Sequence, residues 1–313
     1  MSQRRTKVLS IVGPGRSGTT ILGRMLGEVE GIVTAGELRW LWKRGVLEQR
    51  LCGCSRPQAD CPVWSRVVTQ VLGKGPGWTA GDIVRAQQQL AAPRNRVRVI
   101  RSATGSGTRW AALERVRAVT TDLCSALVQV TGARVVVDTS KRPHDAAVLA
   151  AVDTVDHYVC QIVRDPRAVA HSWRRVKPLP WPTGRTAMGT RRLTASVGMW
   201  MQVCASAELL RRYIPRERWL FTRYEDFARD PGAVTDQILG FLEESARGLV
   251  AADHAVVLGV HHTVEGNPDR FRTGSVSIVP DDEWRSRMPR RHQVCVTAAT
   301  MPLLLRYGYP ILT

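Results

Sequence analysis

The apolar run Val8-Leu9-Ser10-Ile11-Val12 stops abruptly at Gly13-Pro14-Gly15-Arg16-Ser17-Gly18-Thr19-Thr20, after which Ile21, Leu22, Met25 and Leu26 fall on one side of a helix. A strand turning this tightly into a helix is the opening unit of an α/β sheet. It leaves backbone N–H groups exposed at a helix N-terminus, where the helix dipole favours an anion. Three later stretches repeat the pattern. Arg134–Val137 is a β-branched run ending at Asp138. Tyr158–Val163 ends at Arg164-Asp165-Pro166, with a helix predicted from Arg167 to about Arg175. Trp219–Phe221 leads into Arg223-Tyr224-Glu225-Asp226. Strands alternating with helices predict a doubly wound parallel sheet flanked by helices, with its ligand at the carboxyl ends of the strands. Every polar cluster just named lies at such an end.

The rest of the chain is read around that frame as one domain over residues 1–313. Residues from about 42 to 130 hold a cysteine cluster, a Gly/Pro-rich turn at Gly73–Gly77, and helical patterns at Asp82–Leu90 and Trp110–Val130. They predict a helical cap over the site. Lys177–Arg192, with Pro178, Pro180, Pro182 and Gly184, reads as a loop bordering an acceptor pocket. The basic residues ahead of Val8 precede an apolar run that breaks at Gly13, so no secretion signal is expected. No stretch approaches the ~20 apolar residues needed to span a bilayer, and the cytoplasm is the expected compartment. Lys and Arg number 45 against 27 Asp and Glu, for a net charge of +18, so some partner is anionic. Nucleic acid, an acidic membrane and a polyanionic small molecule all satisfy that charge, but no nucleic-acid-binding motif accompanies it.

The loop nearly satisfies the nucleotide-binding Walker pattern, but Thr19 stands where a nucleoside-triphosphatase places Lys. The cation sits instead within the loop, as Arg16. Such a loop is poorly equipped for β- and γ-phosphates with Mg²⁺, yet amides, hydroxyls and one guanidinium can hold a terminal phosphate and an adjacent monoanion. Gly15, Arg16, Ser17, Gly18, Thr19 and Thr20 are therefore the candidate anion cradle.

On these residues the chain resembles a family. The run from Gly15 to Leu22 is similar to the 5'-phosphosulfate loop of sulfotransferases that use 3'-phosphoadenosine-5'-phosphosulfate (PAPS). Its Arg-Ser-Gly-Thr-Thr form resembles tyrosylprotein and many bacterial members, where aryl and steroid members carry Lys at the Arg16 position. Val163-Arg164-Asp165-Pro166-Arg167, with Ser172 eight residues after Arg164, resembles the family's 3'-phosphate motif. The resemblance implies that Arg164 and Ser172 hold that phosphate, and a guanidinium fork and a hydroxyl near a helix start suit it chemically. Tyr224 matches the family's adenine-side Tyr. Arg272 and Gly274, followed by Trp284-Arg285, are similar to the C-terminal region that closes on the 3'-phosphate, although Thr273 replaces the usual Lys. The implied fold is the P-loop nucleoside-triphosphatase type, and the implied cosubstrate is PAPS.

Sulfuryl transfer needs a base for the acceptor proton and cations on the transferring group. Side-chain cations suffice, so no metal is expected in the chemistry. The resemblance implies Glu37 as general base, with Lys141 and Arg16 stabilising the transferring and leaving groups. His144 is the rival base, lying three residues after Lys141 where aryl members place a His two after. Cys52, Cys54 and Cys61 are read as reduced buried thiols, with structural zinc as the alternative for which no fourth ligand is evident. Asp138 is read as a structural carboxylate. Trp40, Trp42, Trp173, Trp181 and Trp200 are candidates for lining an acceptor pocket, or for the core. The acceptor is expected to be a small molecule carrying a hydroxyl or, second, an amine. The rival functions are a P-loop small-molecule kinase and a basic nucleic-acid-binding protein.

Overall fold

β1 (Thr6–Val12), β2 (Ile32–Gly36), β3 (Val135–Lys141), β4 (Val155–Val163) and β5 (Trp219–Arg223) form one parallel sheet in the order β2-β3-β1-β4-β5. The computed structural model describes residues 5–75, 77–104, 110–176, 189–246 and 248–311. From β1 the chain crosses to β2 at one edge and returns to β3 between them, then builds outward through β4 and β5 on the other side. β1 is therefore the topological switch point, and the crevice that opens there lies at Gly13. The doubly wound sheet is the architecture expected from the alternating pattern. β2 escaped that pattern, being a five-residue edge strand with only two strongly apolar residues, Ile32 and Val33.

Helices follow the strands in register with this topology. α1 (Thr19–Gly27) leaves the loop after β1, and between β2 and β3 run α2 (Trp64–Lys74), α3 (Ala80–Ala91), α4 (Arg96–Arg101) and α5 (Ala111–Thr131). The two helices expected in the cap are α3 and α5. α6 (Pro143–Ala150) joins β3 to β4, and α7 (Pro166–Arg174) and α8 (Leu193–Arg211) lead to β5. After β5 come α9 (Tyr224–Arg229), α10 (Pro231–Phe241), an antiparallel pair of β6 (Ala255–Leu258) with β7 (Gly274–Ser277), and then α11 (Glu283–Arg287) and α12 (Arg290–Arg306).

Alternating side chains of the strands divide the core. Leu9, Ile11, Val135, Val137 and Ile162 pack on one face against Leu22 and Met25 of α1, Phe227 of α9 and Ile238 of α10. On the other face, Val8 and Val136 share a core with Trp42, Trp64, Ile83 and Leu123 of the chain between β2 and β3. Burial on both faces is why β1 and β3 read as continuous apolar runs rather than as alternation. Among the described residues no helix is long and apolar enough to cross a membrane.

Candidate active site

A cleft of about 650 Å³ opens at the switch point. Its walls bring together Gly15, Arg16, Gly18, Thr19 and Thr20 of the loop, Arg164, Ser172 and Tyr224, and Glu37, Lys141 and His144. Ser17 does not reach the wall; it is fully buried beneath it, with an Oγ that finds no partner.

The loop is built on backbone that side chains resist. Gly13 donates its N–H to the Lys141 carbonyl at 2.9 Å, which ties the loop to the end of β3. Gly18 caps α1 in the left-handed region (φ 74°), and a Cβ there would sit 2.8 Å from the Tyr224 ring. Gly18→Ala therefore costs ~1–2 kcal/mol of backbone strain plus displacement of Tyr224. Its expected result is a melting temperature lower by several degrees, read by a thermal melt. Gly15 is similarly close-packed, since a Cβ there would lie 3.1 Å from Trp173. That indole carries Arg16 and Arg191 at 4.5 and 4.7 Å.

Arg164 is directed into the cleft because its neighbours take the other contacts. Asp165 caps α7 by accepting the Arg167 N–H at 2.8 Å and also holds the Arg167 guanidinium in a two-point pair at 2.9 and 2.7 Å. Arg167 is thereby turned away, toward the Pro310 carbonyl and Trp284. Arg164 donates to the Arg16 carbonyl at 3.1 Å, stacks over Tyr224 at 4.3 Å, and pairs with Asp281 at 3.1 Å. Arg175 pairs with the same carboxylate at 2.9 Å. Burial, and after it crowding by Arg175, Arg164 and Arg191, lowers the Arg16 guanidinium from its usual value against the pull of Asp269. Cations converge on this end of the cleft, and the buried Arg164 Nε and Ser17 Oγ still lack partners, so the end suits a polyanion.

Beside the loop, the end of β3 assembles a second cluster. Asp138 accepts from the Leu38 N–H at 3.2 Å and from the Ser140 N–H at 2.9 Å, and so pins the turn that follows Glu37. Burial pushes its carboxyl up to about 7 despite these donors. Lys141 sits in the left-handed region (φ 71°) and donates its Nζ to Glu37 Oε1, while the Trp40 indole donates to Glu37 Oε2 at 3.1 Å. His144 is 2% exposed, both ring nitrogens lack hydrogen-bond partners, and burial pushes it down to about 4.

Several expectations do not converge on this site. Arg272 and Gly274 are exposed, do not line the cleft, and belong to the hairpin containing β7. The cleft receives Asp281, Gly266, Asn267 and Asp269 from that part of the chain instead. None of these four carries a recognisable signal in sequence. Trp42 and Trp200 are core residues at 1% and 0% exposure, whereas Trp40 and Trp173 do line the cleft. Trp181 and residues 177–188 lie outside the described residues, although Arg191 from the same segment reaches the wall.

A family model described as "Sulfotransferase family" matches residues 9–247. Human carbohydrate sulfotransferase 1 is 27% identical over 165 residues, 49% of this chain, and the match spans only 39% of that relative. Among solved structures, the sulfotransferase domain from the curacin biosynthetic pathway superposes with a TM-score of 0.54 at 16% identity, covering 98% of this chain and 100% of that one. The sulfotransferase domain from the Synechococcus PCC 7002 olefin synthase gives 0.50 at 19% identity, covering 99% and 98%. With a family match over most of its length, and with that loop and cation cluster at the switch point of its sheet, this chain belongs to the sulfotransferase family.

Proposed function

We propose that the protein transfers a sulfuryl group from PAPS to a hydroxyl of a small-molecule acceptor, with Glu37 as general base. The observation that carries this reading is the cleft that gathers the Arg16 loop, the Arg164/Ser172 pair and the Glu37–Lys141 pair into one site, with Thr20 of the loop and the Glu37 carboxylate both flanking Gly266. When bound, PAPS supplies an activated sulfuryl group on a phosphate leaving group. The 13–20 loop amides, Thr19 and Thr20 would hold its 5' end. Arg164 and Ser172 would hold the 3'-phosphate, with Tyr224 beside the adenine. Arg16 and Lys141 would neutralise charge on the transferring and leaving oxygens. Glu37 would accept the acceptor's proton as the new oxygen–sulfur bond forms and the sulfur–phosphate oxygen bond breaks. Side-chain cations meet the charge requirement, so the transfer step needs no metal. We assign Arg272 and Gly274 no part in it, because neither reaches the cleft.

The acceptor side has its own character. Arg39, Arg44, Arg96 and Arg142 line it with Trp40, Met199 and Val203. Burial, and after it the charges of Arg39 and Arg96, lowers Arg142 to about 10 against the pull of Asp145. This supports an acceptor that bears an anionic group near the hydroxyl. A cytoplasmic location, and no role for nucleic acid, complete the reading.

The deciding experiment is a thermal melt with 3'-phosphoadenosine-5'-phosphate (PAP), the product, against ATP with Mg²⁺. Stabilisation by several degrees with PAP alone is expected. Stabilisation by ATP with Mg²⁺ but not by PAP would favour the kinase reading. Turnover of labelled PAPS on matched neutral and anionic acceptor pools then tests the acceptor class.

A further inference from the structure

Three cysteines and a histidine from distant parts of the chain meet away from the catalytic cleft. Cys52, Cys54 and Cys61 lie within nine residues of sequence, and His262 follows β6 some 200 residues later. One ligand atom from each of the four lies within 4.8 Å of every other. Cys61 Sγ is 3.5 Å from Cys52 Sγ and 3.2 Å from His262 Nδ1. A tetrahedral zinc with ordinary bond lengths sets sulfur–sulfur edges of about 3.8 Å and sulfur–nitrogen edges of about 3.6 Å. The two edges at Cys61 are within about 0.4 Å of these figures.

We propose that Cys52, Cys54, Cys61 and His262 Nδ1 bind one structural zinc ion. A closed set of three thiolates and one imidazole, with no carboxylate, selects zinc over hard cations. It also leaves no open position, so the ion would act on the fold and not on substrate. The fourth ligand could not be seen in the sequence because it lies 201 residues after Cys61, on a segment that reaches the cysteines only along the edge of the sheet.

The backbone around the cluster is arranged as a ligand knuckle. The Cys52 N–H donates to the Arg56 carbonyl at 2.7 Å, Ser55 donates back to the Cys52 carbonyl at 2.8 Å, and Leu51 bridges Pro57. Ser55 takes a left-handed φ of 64° to close this turn. The Trp64 N–H points at Cys61 Sγ at 3.5 Å, and its indole donates to the His262 carbonyl at 2.6 Å, which orients the histidine backbone. A side chain at position 53 would fall on the His261 carbonyl and on Thr263, so glycine is required for the knuckle to approach the histidine segment.

The ion would join the cap to a segment that builds the site. Val264 pairs with Gly36 at the end of β2, and its carbonyl accepts the Glu37 N–H at 2.8 Å. Gly266 and Asn267, a few residues on, line the cleft. Clipping residue 262 to residues 52–61 therefore fixes the backbone on which Glu37 is held.

Elemental analysis of the full chain, purified without chelator, is expected to find about one zinc per molecule. Cobalt exchanged into the same protein should show the intense visible bands of a tetrahedral site together with thiolate charge transfer. Cys54→Ser and His262→Ala should each cut retained zinc at least tenfold. Because these variants can fail by unfolding, the wild-type protein provides the second readout. Its melting temperature should fall on chelation and return with zinc but not with magnesium. Zinc below about a tenth of an equivalent with no cobalt spectrum would overturn the proposal. So would a mass lowered by the two hydrogens of a Cys52–Cys61 disulfide.

Discussion

Glu37→Gln is expected to lower kcat by ~10²–10⁴-fold while PAP affinity stays within about a factor of two. Glutamine keeps the shape of the side chain and can keep the contact with the Trp40 indole, but it cannot take a proton. Lys141 would also lose its carboxylate partner. The Lys141 ammonium would then be free to turn further toward the transferring group, so ground-state binding should not suffer. Turnover with a saturating acceptor, alongside calorimetric titration of PAP, separates the two quantities. His144 provides the contrast. A histidine pushed down to about 4 by burial is neutral across pH 5–8 and is a weaker base than free imidazole. His144→Ala should retain most of kcat, and no limb near pH 6.5 should belong to it. If Glu37→Gln turned over normally while His144→Ala was dead with PAP still bound, the assignment of the base would be reversed.

Arg164→Ala is expected to weaken PAP binding by about thirtyfold to several thousandfold, corresponding to ~2–5 kcal/mol for truncating one member of a buried charge pair. The side chain is 5% exposed and does three things at once: it braces the Arg16 carbonyl, stacks on Tyr224 and pairs with Asp281. Lysine at this position keeps the charge but loses the planar fork and the stacking, so Arg164→Lys should recover only part of the loss. Adenosine 5'-phosphosulfate, which has no 3'-phosphate, supplies the control. Its weaker affinity should change little between wild type and variant if Arg164 reads the 3'-phosphate. An equal loss for both nucleotides would instead mean that Arg164 supports the loop and reads no phosphate.

Features held by local rules could be read directly from residue order. The turn from Val12 into α1 shows because a strand, a glycine loop and a helix each have their own periodicity within twenty residues. β3 and β4 show because burial on both faces leaves the runs Val135–Val137 and Tyr158–Val163 apolar except at Gln161. The Asp165-Pro166 start of α7 shows because proline and a capping carboxylate act within one turn. β2 was missed because an edge strand of five residues carries too few apolar positions to show a period. Arg272 and Gly274 were placed at the site by likeness of order, but the hairpin of β6 and β7 carries them to the surface and leaves Asp281 facing Arg164.

By itself, then, the sequence determined that a glycine loop would join β1 to α1, and that the sheet would be parallel with its polar ends on one side. Those properties depend on neighbours a few residues apart. The pairing of Glu37 with Lys141 across 104 residues, and of Cys61 with His262 across 201, was decided only by the tertiary structure. Strand order, not residue order, brings such groups within hydrogen-bonding reach. β2 reaches Lys141 because it lies beside β3, and His262 reaches the cap because Val264 pairs with Gly36 at the sheet's edge.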